Sequence, residues 1–393
     1  MKATSTTAKS RCALFAALAL LHAPNARAND CKPDAEAKAI MTRGVYSFAW
    51  ENDAFGGDHK DSDRYYTNGL KAAWVSPTLR KRNYDCASQS ELFAWVDGFN
   101  DLMLLRRISG DDPDAIKRNI VIGLGQSMYT PSSTRRDRPE LNRNDRPYAG
   151  WLYLSYGLNA RIDANTTQAS DTLHALELNV GIVGPASHAK QLQSWWHVHV
   201  LDIPIFRGWD NQLHNEPGIL LAYERKYRPR AWRDENGKFE HDLIWHWGGA
   251  AGNVGTYANA GVEFRLGTTV PDDFGTSPIR PGGNSNASLG DKLSSDKKKR
   301  LAAASDRSRI ESGVHAYAAF NAKAVARDIF LDGNTFRTSH SVSKRPFVAD
   351  AAIGVVFRYK AIALHVSHLV RSREFNLQAG RQKFASGILS CEF

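Results

Sequence analysis

The sequence lacks the series of long apolar segments that a helical membrane protein needs. Its mean hydropathy is −0.43, and 23% of its 393 residues are charged. A membrane-crossing helix takes about 20 consecutive apolar residues, so a protein with several such helices is excluded. A membrane β-barrel is not excluded, because its strands alternate lipid-facing and lumen-facing side chains and average out to a soluble composition.

Cysteine is also scarce, with four residues in the chain, and Cys31, Cys86 and Cys391 are the three that follow residue 28. Their positions do not have the spacing of a zinc site. In an exported protein they predict one disulfide and one thiol, and the sequence does not select the pair. Aromatic residues are plentiful, with 17 Phe, 13 Tyr and 10 Trp, which argues against a disordered chain.

The first 28 residues have the three parts of a secretory signal peptide. Lys2, Lys9 and Arg11 precede the uncharged stretch 12–21, and Ala-Arg-Ala follows at 26–28. A buried N-terminal helix is the alternative. Cleavage after residue 28 removes four cations and no anion, which lowers the formal net charge from +10 to +6.

The rest of the chain alternates with period two in one segment after another. One segment carries Leu176, Leu178 and Val180 on one face, and Glu177 and Asn179 on the other. Such alternation predicts half-buried strands, either in a soluble sandwich or in a membrane barrel.

Three features favour the barrel. The faces opposite the apolar rows are polar or glycine-rich, and the chain ends in a strand at 384–393 with a terminal aromatic residue. Aromatic residues also fall near strand ends, as in the interfacial girdles of outer-membrane barrels: Trp50, Trp151, Tyr153, Trp245, Trp247 and Tyr359.

We therefore predict an all-β fold, a twelve-stranded antiparallel transmembrane β-barrel with short helices in loops. Residues 29–393 form its single domain. Helices are expected at 91–105 and 189–196, and 272–308 reads as a flexible inserted loop that parity places on the periplasmic side, unless one hairpin is miscounted. The predicted strands are 44–52, 65–76, 118–129, 147–160, 172–183, 217–228, 241–251, 256–266, 312–324, 345–359, 361–371 and 383–393.

If the first strand runs outward, three polar links emerge together on the external rim. The first, 53–64, follows Glu51-Asn52-Asp53 and leads to Thr67. Its clustered carboxylate and amide oxygens suit a hard cation such as Ca²⁺, although a solvated acidic loop has the same composition.

The second link, 130–146, is basic. Its arginines can grip phosphates through paired guanidinium bonds, or simply form a basic rim beside the anionic outer leaflet. The arginines are Arg135, Arg136, Arg138, Arg143 and Arg146.

The third link, 184–216, contains a candidate general base. Gln193 and His197 are four residues apart and share one face of a helix, and Trp195 and Trp196 suit a helix at a membrane interface. A histidine titrates near neutral pH and can accept a proton from water. On spacing alone, His199 is an equal candidate.

These links resemble the sequences of the outer-membrane lipid A 3-O-deacylases. The shared motifs follow one order over most of the mature chain, and the resemblance leaves out only 281–309 and the cysteine-bearing N-terminal tail. The motifs lie at 51–55, 63–69, 129–131, 145–150, 184–185, 193–197 (Gln-x-x-x-His), 208–213 and 328–335.

The resemblance implies a twelve-stranded bacterial outer-membrane barrel that hydrolyses the 3′-linked acyl or acyloxyacyl ester of lipid A with the help of Ca²⁺. His197 matches the general base that activates water, and Gln193 its motif partner. Asn52, Asp53 and Thr67 match the cluster where Ca²⁺ and the scissile carbonyl meet, with Asp53 as the metal ligand.

The same resemblance assigns the lipid A phosphates to Arg135 or Arg136, where members of the family can carry lysine. We expect a monomer that binds lipopolysaccharide in the outer leaflet and does not bind nucleic acid.

Two other functions fit parts of the sequence. An outer-membrane phospholipase with a Ser nucleophile would need a Ser-His-Asn set, and His365 and Ser367 share a strand face without an evident third partner. A porin or adhesin without catalysis would account for the barrel, but not for acidic, basic and histidine-bearing links on one rim.

Overall fold

Twelve antiparallel strands close on themselves, so that β1 pairs with both β2 and β12. The fold is seen in a computed structural model that describes residues 44–55, 63–76, 116–132, 140–163, 170–202, 205–229, 232, 239–276 and 312–392. The predicted fold class and strand count are confirmed. The expected signal peptide, the helix at 91–105, Arg135, Arg136, Cys31 and Cys86 lie outside the described residues.

The strands begin and end within four residues of the predicted positions. They are β1 (Val45–Asn52), β2 (Tyr65–Val75), β3 (Ile116–Thr130), β4 (Ala149–Ile162), β5 (Ser170–Val183), β6 (Glu216–Pro229), β7 (Glu240–Gly252), β8 (Gly255–Gly267), β9 (Gly313–Asp328), β10 (Phe347–Tyr359), β11 (Ile362–Arg371) and β12 (Gln382–Glu392). We call the end that carries the β1–β2, β3–β4 and β5–β6 links the rim, and the opposite end the base.

In the part of the chain that the structure describes, the helices are short and lie in the rim links. Helix α1 (Ala189–Trp196) has the predicted bounds and continues as a π-helical segment, His197–Leu201, while α2 (Ile329–Asp332) follows β9. Short 3₁₀ turns occupy Asp53–Phe55, Pro185–Ser187 and Gly208–Asn211. Among the described residues, no helix combines the length and the apolar character needed to cross a membrane.

The two faces of the wall differ as the alternation predicts. Large apolar side chains such as Leu154, Val180 and Ile353 are exposed on the outside, whereas the lumen is lined by buried polar groups. Lys71 and Glu177 form a buried ion pair of 2.8 Å inside the barrel. A wall with an apolar outside and a polar inside is suited to lipid.

The aromatic girdle is only partly as predicted. Trp245, Trp247 and Tyr359 are exposed on the outer face, but Trp151 and Tyr153 are buried in the lumen, where their rings stack at 4.1 Å. They lie on the inner face of β4, and with Phe330 of α2 they belong to one apolar cluster near the rim. Their assignment to the girdle was wrong because position near a strand end does not decide which face a residue occupies.

The base of the lumen is filled by the first residues of the β8–β9 link. Asp272 pairs with Arg161 at 2.9 Å and also with Arg228, Asp273 pairs with Arg265, and the buried Phe274 lies under two of these guanidinium groups. The loop predicted as flexible from residue 272 is therefore fixed up to residue 276, because buried arginines bind its carboxylates. We call 271–276 the base segment.

Between the base segment and the rim cluster the lumen keeps a cavity of about 190 Å³, lined in part by Glu51, Tyr66 and Glu263. At the end of β12, Cys391 is buried and disulfide-bonded, as expected for an exported chain.

The base segment provides a stability test. Replacing Arg228 by Ala leaves the buried carboxylates of Asp171 and Asp272 without this partner, and we expect the free energy of unfolding to fall by about 3–5 kcal/mol. Lys190→Ala breaks the exposed pair with Asp210 and should cost less than about 1 kcal/mol. Denaturant unfolding of the barrel in lipid vesicles measures both, and equal losses would contradict the role of the buried pairs.

Candidate active site

Helix α1 lies against the outer face of the barrel wall, not in the lumen. The outward residues of β3 are exposed at Ile122 and Leu124, but nearer the rim the link covers them. Met128 is buried in one cluster with Ala189 of α1, and the Gln126 side chain donates to the Ser187 carbonyl at 2.7 Å. The β5–β6 link thus folds back over the surface that elsewhere faces lipid.

A glycine in the wall makes this contact possible. A Cβ atom at Gly150 would lie 2.1 Å from Ser187 Oγ and 2.4 Å from Ala189 Cβ. Both distances are far shorter than van der Waals contact, and the Ala189 Cβ is fixed to the helix backbone. Gly150 ends the predicted 145–150 motif, so that motif serves to seat the helix.

Trp209 anchors the same helix from its other side. This fully buried residue of the Gly208–Asn211 turn donates from Nε1 to Gln193 Oε1 at 2.7 Å. Its ring also packs against Tyr148 at 5.0 Å. The Gln193 Nε2 group is buried and has no hydrogen-bond partner among the residues described, so it is a donor that remains available.

His197 is the buried histidine at the end of α1. Its side chain is 1% exposed, and its Nε2 lies 3.0 Å from Asp63 Oδ2. The edge of the ring packs on Phe206 with the centroids 4.6 Å apart. His199 is exposed and bonds to the Trp195 carbonyl of its own helix. The geometry therefore separates two histidines that sequence spacing could not.

The backbone that holds Asp63 and Thr67 is irregular. Asp63 and Tyr65 have φ angles of 63° and 66°, and Thr67 is the extra residue of a β-bulge between β2 and β3. The Thr130 hydroxyl donates to the Asp63 carbonyl at 2.7 Å, and Thr67 donates in turn to Thr130 at 2.7 Å. Bulges re-aim side chains, and here the bulge and the two threonines fix the position of Asp63.

Asp53 follows β1 directly and lies beside the Asp63 segment, because its Oδ2 accepts from the Arg64 backbone N–H. Its Oδ1 is buried without a hydrogen-bond partner in the described part of the chain. Burial, reinforced by the negative charge of Asp63, raises the pKa of the Asp53 carboxyl well above its ordinary value, and the Arg64 N–H offsets part of this effect.

The Asn52 side chain is used mostly for structure. Its Oδ1 accepts from the Ala54 N–H at 2.8 Å, which shapes the turn after β1. Its Nδ2 donates to Asn68 Oδ1 at 3.2 Å, and the same Asn68 oxygen accepts from Trp50 Nε1 at 2.9 Å. Asn52 thus keeps the ends of β1 and β2 in register beside the carboxylates.

The predicted site residues on the first and third links therefore meet at one seam between the wall and α1. The sequence missed the direct pairing of Asp63 with His197, as well as Thr130 and Asn68. From the sequence, Asp63 was only one of several acidic residues in the first link that could bind a cation. Within the described ranges no group of three or more His, Cys, Asp or Glu side chains is arranged to hold a metal ion.

One predicted anion-binding residue is placed elsewhere. Arg146 is fully buried, pairs with Glu374 at 3.1 Å and lies over the Tyr129 ring. It stabilises the interior near the rim and does not reach a ligand outside. Arg143 is exposed at the rim.

Comparison with known proteins agrees with this architecture. The family model of outer membrane protein LpxR matches residues 14–393. The solved structure of LpxR from Salmonella typhimurium is 17% identical, with a TM-score of 0.61 over 89% of this chain and 100% of that one. The β domain of the Bordetella autotransporter BrkA is 6% identical (TM-score 0.39; 90% and 100% covered), and the NalP translocator domain from Neisseria meningitidis is 9% identical (0.35; 98% and 99%). No curated protein sequence matches the chain.

The seating of α1 can be tested with a pair of glycines. Gly150→Ala should push the helix off the wall and expose the β5–β6 link to protease, while the barrel stays folded. Gly387→Ala, where the nearest atom to the new Cβ is 4.0 Å away, should leave the link protected. Limited proteolysis in detergent micelles reads out both variants. An unchanged cleavage pattern for Gly150→Ala would argue against the wall contact.

Proposed function

This chain belongs to the family of outer membrane protein LpxR, and on that premise we propose that it is a Ca²⁺-dependent lipid A 3-O-deacylase. It resides in the outer membrane as a barrel, and family membership supports lipid A deacylation. The proposal adds the ester at the 3′ position, the water-activating histidine and the calcium ion.

The observation that carries the proposal is the buried His197–Asp63 pair at the seam between the wall and α1. A general base needs a fixed orientation and a position that a substrate ester can reach. The seam is at the rim and on the outer face of the wall, so the ester of a lipid can reach it without leaving the membrane. A site of this kind fits a membrane lipid better than a substrate from the aqueous lumen.

Asp63 is the positioning residue for the base. When His197 Nε2 donates to the Asp63 carboxylate, the neutral ring has its acceptor at Nδ1. The ring takes a proton from water as the water attacks the ester carbonyl, and Asp63 stabilises the imidazolium. The acyl C–O bond then breaks, and the imidazolium returns the proton to the departing sugar oxygen, which leaves a free fatty acid and the sugar hydroxyl. Proton transfer of this type contributes roughly 10²–10⁴-fold to a rate.

Gln193 is a further donor for the ester at the seam. Gln193 Nε2 is held by the Trp209 contact to its own oxygen, so it can donate to the attacking water or to an ester oxygen. Thr67 already donates its hydroxyl hydrogen to Thr130, so it orders the Asp63 segment and does not donate to the ester. Donors fixed in advance stabilise negative charge without reorganisation as the reaction proceeds.

Asp53 offers one ligand oxygen suited to a calcium ion. Its Oδ1 is a buried carboxylate oxygen without a hydrogen-bond donor among the described residues, and hard cations prefer such oxygens. Its raised pKa reflects burial without a compensating positive charge nearby. Asp53 would hold the ion, which when bound would polarise the ester carbonyl and stabilise the developing negative charge. We also propose that Arg135 and Arg136, on the adjacent link, contact the lipid A phosphates.

The competing functions fit less well. His365 and Ser367 point into the lumen from β11, so a serine nucleophile there would lie away from the rim. The base segment fills one end of the lumen, which does not suit a porin. Mass spectrometry of lipid A from cells that express the protein tests the function itself. Loss of the 3′-linked acyl group supports it, and unchanged lipid A in the presence of calcium rejects it.

The assignment of the base predicts different outcomes for two neighbouring histidines. His197→Ala should lower the rate of fatty-acid release by about 10²–10⁴-fold without unfolding the barrel. His199→Ala changes an exposed side chain and should stay within about twofold of wild type. Release of fatty acid from purified lipid A in micelles is the measurement. Near-full activity in His197→Ala would show that another group is the base.

The calcium role predicts that a chelator abolishes activity and that added Ca²⁺ restores it. Asp53→Asn should raise the Ca²⁺ concentration needed for half-maximal activity by roughly tenfold or more, because a carboxylate ligand is lost. Asp210→Asn is the matched control: this carboxylate is 81% exposed on the Gly208–Asn211 turn, and its loss should leave the calcium requirement unchanged. Activity that persists in excess chelator would contradict a role for calcium.

A further inference from the structure

The outer face of β2 forms a shallow apolar strip that runs from the seam towards the base. Its outward residues beyond Asn68 are Leu70, Ala72 and Trp74, whose side chains alternate with the inward Lys71 and Ala73. Leu70, Ala72 and Trp74 therefore lie on the surface that faces lipid in a barrel.

The small residue in this strip sits between two large ones. On β1 the register partner of Ala72 is Phe48, and on β3 it is Leu124, both exposed on the outer face. One step towards the rim, Leu70 lies between Trp50 and Gln126. The outer surface therefore has a shallow depression at Ala72, one strand wide, with a large apolar side chain on each side.

The rim end of the strip is continuous with the candidate site. The Trp50 ring contacts Trp196 with centroids 5.7 Å apart, and Trp196 precedes His197. Trp50 also contacts Phe55 at 5.3 Å and donates to Asn68, which binds Asn52. Aromatic side chains thus join the lipid-facing wall to the residues that would handle the ester.

The length of the strip suits one leaflet. The six residue-to-residue steps from Asn68 to Trp74 span about 20 Å of strand. A tilt of about 40° reduces the descent to about 15 Å, half of a hydrocarbon core of about 30 Å. A chain that lies along the strip would have its carbonyl end at the seam and its tail within the outer leaflet.

We infer that the strip along β2, with Ala72 as its floor, holds the fatty acyl chain of the ester that the site hydrolyses. This inference rests on the proposed function and adds a substrate contact to it. The acyl chain passes from the surrounding lipid onto the barrel wall and so stays in an apolar environment. Contact with Phe48, Ala72 and Leu124 then aligns the ester with His197.

A side chain that fills the depression tests the inference. Ala72→Phe should lower kcat/KM for lipid A with long 3′-acyl groups by at least about tenfold, because the chain loses contact with the wall. For an analogue with a four-carbon acyl group at the same position, the change should stay within about twofold, because such a chain ends before Ala72.

The wall offers a matched control five strands away. Ala318 on β9 is also an outward alanine between two large residues, Phe264 and Ile353, but no candidate site lies beside it. Ala318→Phe should leave kcat/KM unchanged for both the long-chain and the four-carbon substrate. Heat-dependent gel mobility confirms that each variant is folded.

Three outcomes would overturn the inference: full activity of Ala72→Phe on the long-chain substrate, an equal loss on both substrates, or a change in oligomeric state that marks the strip as a contact between copies. Binding separates this inference from the proposed reaction. In a His197→Ala background, Ala72→Phe should weaken the affinity for long-chain lipid A by about tenfold. If Ala72→Phe and its His197→Ala parent bind long-chain lipid A equally well, the strip is rejected, even if the wild-type protein hydrolyses nothing. If Ala72→Phe weakens binding but the wild-type protein shows no hydrolysis, only the proposed reaction is rejected.

Discussion

The pairing of β1 with β12 is the contact on which the rest of the molecule depends. Lipid offers no hydrogen bonds to backbone groups, so a sheet that spans it must close and leave no edge. Closure also fixes β1 between β12 and β2, with Asn52 opposite both Ala385 and Asn68. Asp53 therefore leaves the wall at a defined point beside the Asp63 segment. The closed sheet therefore sets the geometry of the candidate site, although most residues of the site lie on links.

Departures from regular backbone gather where chemistry is proposed. The Thr67 bulge, the positive φ angles at Asp63 and Tyr65, and the π-helical segment that begins at His197 all lie around one seam. A non-glycine residue at a positive φ angle costs about 1–3 kcal/mol and persists only where the surroundings hold it. Here the Thr130 hydroxyl, the seat at Gly150 and the buried Trp209 supply that support. The regular strands span the membrane, and the irregular links at the rim hold the groups proposed to react.

Much of the fold could be predicted from the sequence, because lipid on one side and a polar lumen on the other impose period two on every strand. Helix α1 was predictable from its own residues as well. What needed the structure was long-range: Asp63 and His197 are 134 positions apart, and no local pattern indicates that the two meet. The side of the wall on which α1 packs depends on Gly150, whose role is visible only once Ala189 is placed against it. Trp151 and Arg146 were misassigned for the same reason, since composition does not tell an inner face from an outer one.

The base segment has a consequence for the membrane as a permeability barrier. Asp272, Asp273 and Phe274 occupy the end of the lumen opposite the seam, held by three buried arginines. Water and ions that enter from the rim meet charged pairs and an aromatic ring, not an aqueous path. A barrel whose lumen is filled at one end can span the envelope without adding an open pore to it.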